Sequence, residues 1–362
     1  MIIKGGVTLK FIHCGDFHLD TAFSGLSDAK RAAIRQAELR RSFLAVIELA
    51  KDVDALLIAG DLFDQDCVEP ETIRLLCDGF ASLGDTKVLI AAGNHDPLTE
   101  NSYYNLAAFP QQVHVFGTTV SHVTVADCDV YGISFGKAVC DEPLLEVLPK
   151  SGGRPSVMLM HGDLGGHAYN PVKREAIMQS GIDYLALGHV HSFMQETVGK
   201  TLCAYPGCPE GRGFDELGPK GVICGEITDG GVNIQFVPIC SREYCELSVD
   251  VSGLGTHEAM LAAIRACGMD EKNLYKVILT GETELVPDTA VLTEGLSDCF
   301  FAKIYDKTVR PLDVDAMMAE QGIRSMLAGK LAPGLSGEEA ALHRKALEYG
   351  LSALEGRRVK AL

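Results

Sequence analysis

The chain has 362 residues, of which 47% are hydrophobic and 12 are cysteines, and its formal net charge is −17. That length suits one large domain with a smaller one, or two ordinary domains; no apolar stretch reaches membrane-spanning length, and the first ten residues lack a secretory leader pattern, so a cytoplasmic location is expected. The acidic balance is a poor match for nucleic acid, whose affinity comes largely from Lys and Arg, and scattered cysteines without a C-x-x-C pair exclude a zinc ribbon or thioredoxin-type motif.

Residues 8–12 read as a first strand. Residues 27–52, rich in Ala, Arg, Glu and Leu, read as a long helix with Ser27 as its N-cap. Phe43, Val46, Ile47 and Ala50 follow at helical spacing and form its core-facing stripe. Residues 55–59 are continuously apolar, as expected of a strand buried on both faces. A helix over 71–82 and a buried strand over 87–92 come next, then short β-type runs between 113 and 132. Residues 157–160 predict another buried strand, 172–179 a helix and 182–187 a further strand. From 193 to 237 the pattern is hairpin-like, with a turn at Asp229-Gly230-Gly231. Residues 275–281 and 300–305 read as two strands flanking a helix. Residues 313–362 read as two helices broken at Pro333-Gly334, whose Met317, Met318, Met326, Leu347, Leu351 and Leu354 read first as core packing and alternatively as a partner-binding surface. The expected fold class is α/β, with two mixed β-sheets packed as a sandwich flanked by helices. Its divisions are 1–245, a small α/β module over 246–312 and a helical tail over 313–362.

Five of the apolar runs end in a polar cluster: Asp16-Phe17-His18, Gly60-Asp61-Leu62-Phe63-Asp64, Gly93-Asn94-His95-Asp96, His161-Gly162-Asp163 and Gly188-His189-Val190-His191. Ligands in open α/β folds gather beyond the carboxyl ends of strands, and glycines at 15, 60, 93 and 188 let the backbone turn there. If the strands lie side by side, Asp16, His18, Asp61, Asn94, His95, Asp96, His161, His189 and His191 must converge. Carboxylate, amide and imidazole donors suit Mn²⁺, Fe²⁺ or Zn²⁺ better than Ca²⁺. The set is too large for one tetrahedral ion and fits two ions sharing a bridge, the arrangement that hydrolyses phosphate esters. Each cluster alone has a plainer reading, a capped or common turn; the order of all five is what points to chemistry.

These motifs, D-x-H, G-D-x-x-D, G-N-H-D, H and G-H-x-H, resemble those of the calcineurin-like metallophosphoesterase superfamily. The resemblance implies one metal held by Asp16, His18, Asp61 and His191, and a second held by Asp61, Asn94, His161 and His189, with Asp61 as the bridge. It implies His95 as proton donor or charge stabiliser, with Asp96 orienting its ring, and a hydroxide shared by the two metals as nucleophile. GDLFDQ, YNPVKREAIMQSGIDYLALGHVH and YPGCPEGRGFDELGPKGVICGEI narrow the resemblance to SbcD-type DNA repair exonucleases, YhaO-like branch, over residues 7–245. That implies a DNA substrate, at ends or single-stranded regions, cut as an exonuclease or endonuclease. It also implies two divalent cofactor ions (Mn²⁺ first, Fe²⁺ or Zn²⁺ as alternatives), a cap over the cleft and a long-armed SbcC-like ATPase as partner; no membrane is expected, and a homodimer is left open. SbcD nucleases usually carry His where this chain has Asp64, which is what general phosphoesterases and the YhaO-like branch show.

Other residues leave alternatives open. Arg212 either contacts a substrate phosphate or pairs with Glu210, Asp215 or Glu216. His167 and Tyr169 either line the cleft or sit on the surface. Cys14, two residues before Asp16, reads first as a packing residue and alternatively as a soft-metal ligand, and His13, His114, His122, His257 and His343 read as structural or solvated. The competing functions are a phosphatase or phosphodiesterase for a nucleotide or other small ester, and a non-catalytic metal-binding scaffold.

Overall fold

Side chains along a strand point alternately to opposite faces, so a continuously apolar strand must be covered on both. The computed structural model describes residues 7–26, 28–150, 152–354 and 356. In it Ala55, Leu57 and Ala59 of the strand Ala55–Ala59 face a second sheet, while Leu56 and Ile58 face helices. The same alternation governs Lys87–Ala91, whose Leu89 and Ala91 face inward between the sheets and whose Val88 and Ile90 face helices.

The first sheet runs Gly231–Pro238, Gly221–Thr228, Val7–Cys14, Ala55–Ala59, Lys87–Ala91, Val113–Val115. The second runs Met194–Val198, Thr201–Tyr205, Tyr184–Gly188, Ser156–His161, Cys128–Ile133, Ser121–Val125. The central strands of each are parallel and the hairpins at the edges antiparallel, so both sheets are mixed. Phe11, Leu57, Leu89, Phe116, Val157 and Leu159 are among the residues filling the space between them. Helix Ala29–Ala50 lays Phe43, Val46, Ile47 and Ala50, the expected stripe, on the outer face of the first sheet. Its cap is Asp28, whose carboxylate accepts from the amide of Lys30; Ser27 lies outside the described residues. On the second sheet, Arg174–Ser180 packs Ile177 against Met158 and Leu185.

The chain divides into one unit made of Met1–Leu247, Met269–Lys276 and Ser297–Lys303, and another made of Ser248–Gly268, Val277–Leu296 and Ile304–Leu362. A three-stranded sheet runs Tyr244–Asp250, Leu274–Thr280, Phe301–Asp306. Its first strand and the helix His257–Arg265 were not expected from the sequence. Among the described residues the tail holds three α-helices, Val314–Ala319, Ile323–Leu331 and Ala340–Leu354, rather than two. The extra break falls at Gly322, which sits at φ 125°, a backbone region that L side chains rarely adopt. Met317, Leu347 and Leu351 pack as expected, but Met318, Met326 and Leu354 are exposed.

All twelve cysteines are free, and Cys14 is buried with its thiol donating to the carbonyl of Leu57. No helix among the described residues is long and apolar enough to cross a membrane.

The parallel order brings the ends of Val7–Cys14, Ala55–Ala59 and Lys87–Ala91 together on one sheet and those of Ser156–His161 and Tyr184–Gly188 together on the other. Gly188 is the tightest point of that approach: a Cβ there would stand 1.8 Å from the carbonyl oxygen of Ala59. Since the clash is with backbone, Gly188→Ala should destabilise the fold by about 2 kcal/mol or more. Urea unfolding measures this, and wild-type stability would show that the sheets can part.

Candidate metal centre

At the tips of three of the contributing strands, Val7–Cys14, Ala55–Ala59 and Tyr184–Gly188, the backbone bends out of the extended conformation. Asp16, His18, Asp61 and His189 all lie at positive φ (52°, 47°, 51° and 108°). Such conformations cost non-glycine residues of order 1 kcal/mol or more and persist only where surroundings impose them. Here the surroundings are the neighbouring turns. The amide of Asp16 donates to the carbonyl of Gly60 at 3.0 Å and that of His18 to the carbonyl of Asp61 at 2.9 Å. The amide of His189 donates to the Asp16 carboxylate at 3.0 Å. Among the four glycines expected to provide turns, only Gly60 has positive φ. Gly93 and Gly188 instead provide clearance, Gly93 beside the Asp61 carboxylate and Gly188 beside Ala59.

Three overlapping groups of donors result: Asp16, His18 and His191; Asp16, Asp61 and His161; and His18, Asp64 and His95. One oxygen, Oδ2 of Asp61, lies 3.6 Å from His18 Nε2 and 3.5 Å from His161 Nε2. His191 Nε2 lies 3.5 Å from Asp16 Oδ1, and Asn94 Oδ1 lies 3.0 Å from His161 Nε2. The His189 ring lies beside that of His161, with centroids 5.2 Å apart. Asp16, His18, Asp61 and His161 are buried, whereas the His95 side chain is about half exposed.

The hydrogen bonds behind the rings decide what the inner nitrogens can do. His18 Nδ1 donates to Asp64 at 2.7 Å, His161 Nδ1 to the carbonyl of Ala59 at 2.9 Å and His191 Nδ1 to Glu216 at 2.7 Å. With its proton on Nδ1, each neutral ring turns the lone pair of Nε2 inward. For His18 and His161 those lone pairs face Asp61 and Asn94 oxygens, which only accept, while His191 Nε2 lies toward the Asp16 carboxylate. His18 Nε2 is buried and has no hydrogen-bond partner. Acceptor facing acceptor is repulsive unless a proton or a cation lies between. For His18, burial opposes the proton by lowering the ring's pKa, outweighing its hydrogen bond with Asp64. Donors bound about 2.0–2.2 Å from one cation stand about 3–3.5 Å apart, close to the separations seen here. The donor set therefore fits divalent cations.

Charge is distributed unevenly around this centre. Burial pulls Asp16 upward, but the hydrogen bond and charge of His191, with His161 and His18, hold it down at about 2. Burial lowers His191, yet hydrogen bonds to Asp16 and Glu216 lift it to about 9. The hydrogen bond with Asp64 raises His95, and burial lowers His189. Arg212 pairs with Glu216 at 2.9 Å, one of the alternatives the sequence left open. Tyr169 stacks near His189, centroids 5.0 Å apart, and with Asp64, Asn94 and His95 lines a cavity of about 410 Å³. His167 lines a different cavity, with Gly165, Lys173 and Arg174. His13 is buried against Tyr184, and burial drops its pKa to about 3.

Asp96 does not orient His95. Its buried carboxylate accepts from the amides of Asp61, Leu62 and Gly93 and from the Tyr104 hydroxyl, at 2.5–3.1 Å. It locks two turns together, and burial beside charged Asp61 raises it to about 6. The acceptor beside His95 is Asp64, whose Oδ1 is 3.1 Å from His95 Nδ1 and also serves His18. Position 64 thus carries the oxygen shared by a buried and an exposed histidine.

A mixed two-sheet α/β sandwich with acids, amide and imidazoles at its strand tips defines a metallohydrolase-type centre. Residues 9–193 match the calcineurin-like phosphoesterase family, and the chain belongs to that family. It is 28% identical over 263 residues to the uncharacterized metallophosphoesterase YhaO of Bacillus subtilis, covering 67% of this chain and 64% of that one. It is 25% identical over 271 residues to the DNA double-strand break repair protein Mre11 of Aeropyrum pernix, covering 68% and 65%. A shorter stretch of 117 residues is 34% identical to an SbcCD nuclease subunit of Rhodobacter capsulatus, covering 30% and 27%. The chain thus spans just under two thirds of the length of the first two relatives.

Asp64→Asn keeps one acceptor oxygen and loses the charge that holds two rings. Activity toward a phosphodiester should fall about 10–100-fold, the usual cost of losing a partner behind a metal ligand. Steady-state hydrolysis of bis-p-nitrophenyl phosphate with Mn²⁺ measures it; an unchanged rate would remove Asp64 from the machinery.

Proposed function

We propose that this chain is a metal-dependent phosphodiesterase that cleaves DNA, at ends or in single-stranded regions, in the manner of repair nucleases. The observation that carries the reading is the pair of inward imidazole nitrogens, His18 Nε2 and His161 Nε2, that face acceptor oxygens of Asp61 and Asn94. Asp16, His18, Asp61 and His191 would hold one cation, and Asp61, Asn94, His161 and His189 the other. Oxygen and nitrogen donors without thiolate favour Mn²⁺, with Fe²⁺ or Zn²⁺ as alternatives. When bound, such a pair supplies Lewis-acid charge to the phosphate and lowers the pKa of water.

The chain's own residues do the rest. His95 is half exposed beside the cavity, with Nδ1 toward Asp64, which leaves Nε2 to meet the substrate. A protonated ring there can give its proton to the leaving oxygen or balance charge on the phosphate. Asp64 favours that proton. Asp96 keeps the turns bearing Asp61 and Asn94 in register. The DNA assignment is supported by the Mre11 and SbcCD relatives. By the same likeness a long-armed ATPase of the SbcC type is the expected partner. The net charge of −17 favours the second reading, a small phosphate ester.

Purified protein with Mn²⁺ is expected to hydrolyse bis-p-nitrophenyl phosphate, to lose that activity on chelation and regain it with added Mn²⁺, and to degrade end-labelled DNA. A protein that splits the small diester but leaves every DNA end and single strand intact contradicts the nuclease assignment and favours the small-ester one. His95→Ala should lower kcat about 10²-fold or more without loss of bound cation; a wild-type rate would remove His95 from the reaction.

A further inference from the structure

The mechanism leaves one set of buried charges unused: those around residues 208–220, the loop that follows the strand Thr201–Tyr205. We propose that this loop is a clamp for His191, with Glu216 as the positioning residue that fixes the ring and thereby one of the two cation positions. The inference rests on the two-cation reading above and deepens it.

The geometry starts at the His191 ring. Oε1 of Glu216 lies 2.7 Å from Nδ1 and 2.9 Å from Nη2 of Arg212, while that Nη2 is itself 2.9 Å from Nδ1. With Arg212 Nε at 3.3 Å, three nitrogens converge on a single carboxylate oxygen. The shortest contact, 2.7 Å, is attractive with the proton on Nδ1 donating to Oε1, and Arg212, the other group in reach of Nδ1, is itself held by that oxygen. Glu216 therefore holds the ring by Nδ1 and leaves Nε2 directed at Asp16, 3.5 Å from its Oδ1. Its other oxygen accepts from the backbone amide of Arg212 at 2.7 Å, so the carboxylate is tied at both ends. The backbone of His191 is held too, since buried Lys220 donates to its carbonyl at 2.8 Å.

The clamp is anchored on the long helix. Arg35 is fully buried and donates to Glu210 at 2.8 Å and to the carbonyl of Gly211 at 2.9 Å. Glu210, also fully buried, accepts in addition from the Ser42 hydroxyl at 2.9 Å and the amide of Ser241 at 2.6 Å. Buried ion pairs contribute little net stability, because desolvation offsets attraction. What this one does is fix the residues immediately before Arg212. A plain structural ion pair would hold the loop to the helix and end there; the contact of Glu216 with the His191 ring is what that account does not need.

The other ring partners are independent of this loop: Asp64 for His18 and Ala59 for His161. Loss of Glu216 should therefore affect one cation and spare the other. Titration calorimetry with Mn²⁺ on the full chain reads this directly. Glu216→Ala is expected to weaken one of two binding events about 10–100-fold and leave the other at its wild-type affinity. Glu216→Gln, which keeps an acceptor without the charge, should fall in between. The chelator-treated Glu216→Ala protein should melt at a lower temperature, because Arg212 loses its partner, yet stay folded at the temperature of the titration. Two wild-type affinities in both variants, or an equal loss at both positions, overturns the clamp. Wild-type protein that takes up a single Mn²⁺ contradicts the two-cation reading instead; the clamp is then decided by whether Glu216→Ala weakens that one event.

Discussion

The carbonyl oxygen of Ala59 is where the two sheets fix one another. It ends a strand of the first sheet, accepts a hydrogen bond from His161 of the second at 2.9 Å, and comes so near Gly188 that no side chain fits between. From that contact follow the tautomer of His161, the reach of the His189 amide to Asp16, and the meeting of both sheets' ligands at Asp61. The inter-sheet core of Leu57, Leu89, Val157 and Leu159 holds the strands behind it at their spacing. A donor set assembled from five strand ends needs this stiffness, because a displacement of one sheet would separate acids from histidines.

The centre is built from strain and repulsion that a rigid frame contains. Four of the ligand positions adopt left-handed backbone, and two imidazoles, His18 and His161, turn lone pairs toward oxygens. Neither would persist on a mobile loop. Asp96 shows how the frame works: one buried carboxylate gathers amides from two turns and a tyrosine hydroxyl. Asp64 and Glu216 do the equivalent for rings, each holding one by its Nδ1. Cations of charge +2 would turn this repulsion into coordination, so binding and local order are coupled.

The strands and their polar ends were legible in the sequence because burial on both faces demands unbroken apolar runs, and Asp, Asn and His at the end of such runs are costly without partners. The long helix was legible through Phe43, Val46, Ile47 and Ala50. Side-chain direction was not. Asp96 is adjacent to His95 in the chain but points into the turn amides, while Asp64, thirty-one positions earlier, meets the ring. Glu216 was named only as a partner for Arg212; three acids near that arginine made the choice open, and its contact with His191 depends on a loop without periodicity. The tail was misread because Gly322 carries a break that helix-forming neighbours hide.

The central claim is that two cations share Asp61. Anomalous diffraction from crystals grown with Mn²⁺ tests it most directly. Two peaks about 3.5–4 Å apart, on either side of the Asp61 carboxylate, are the result expected. A single peak, or a pair remote from Asp61, would contradict it.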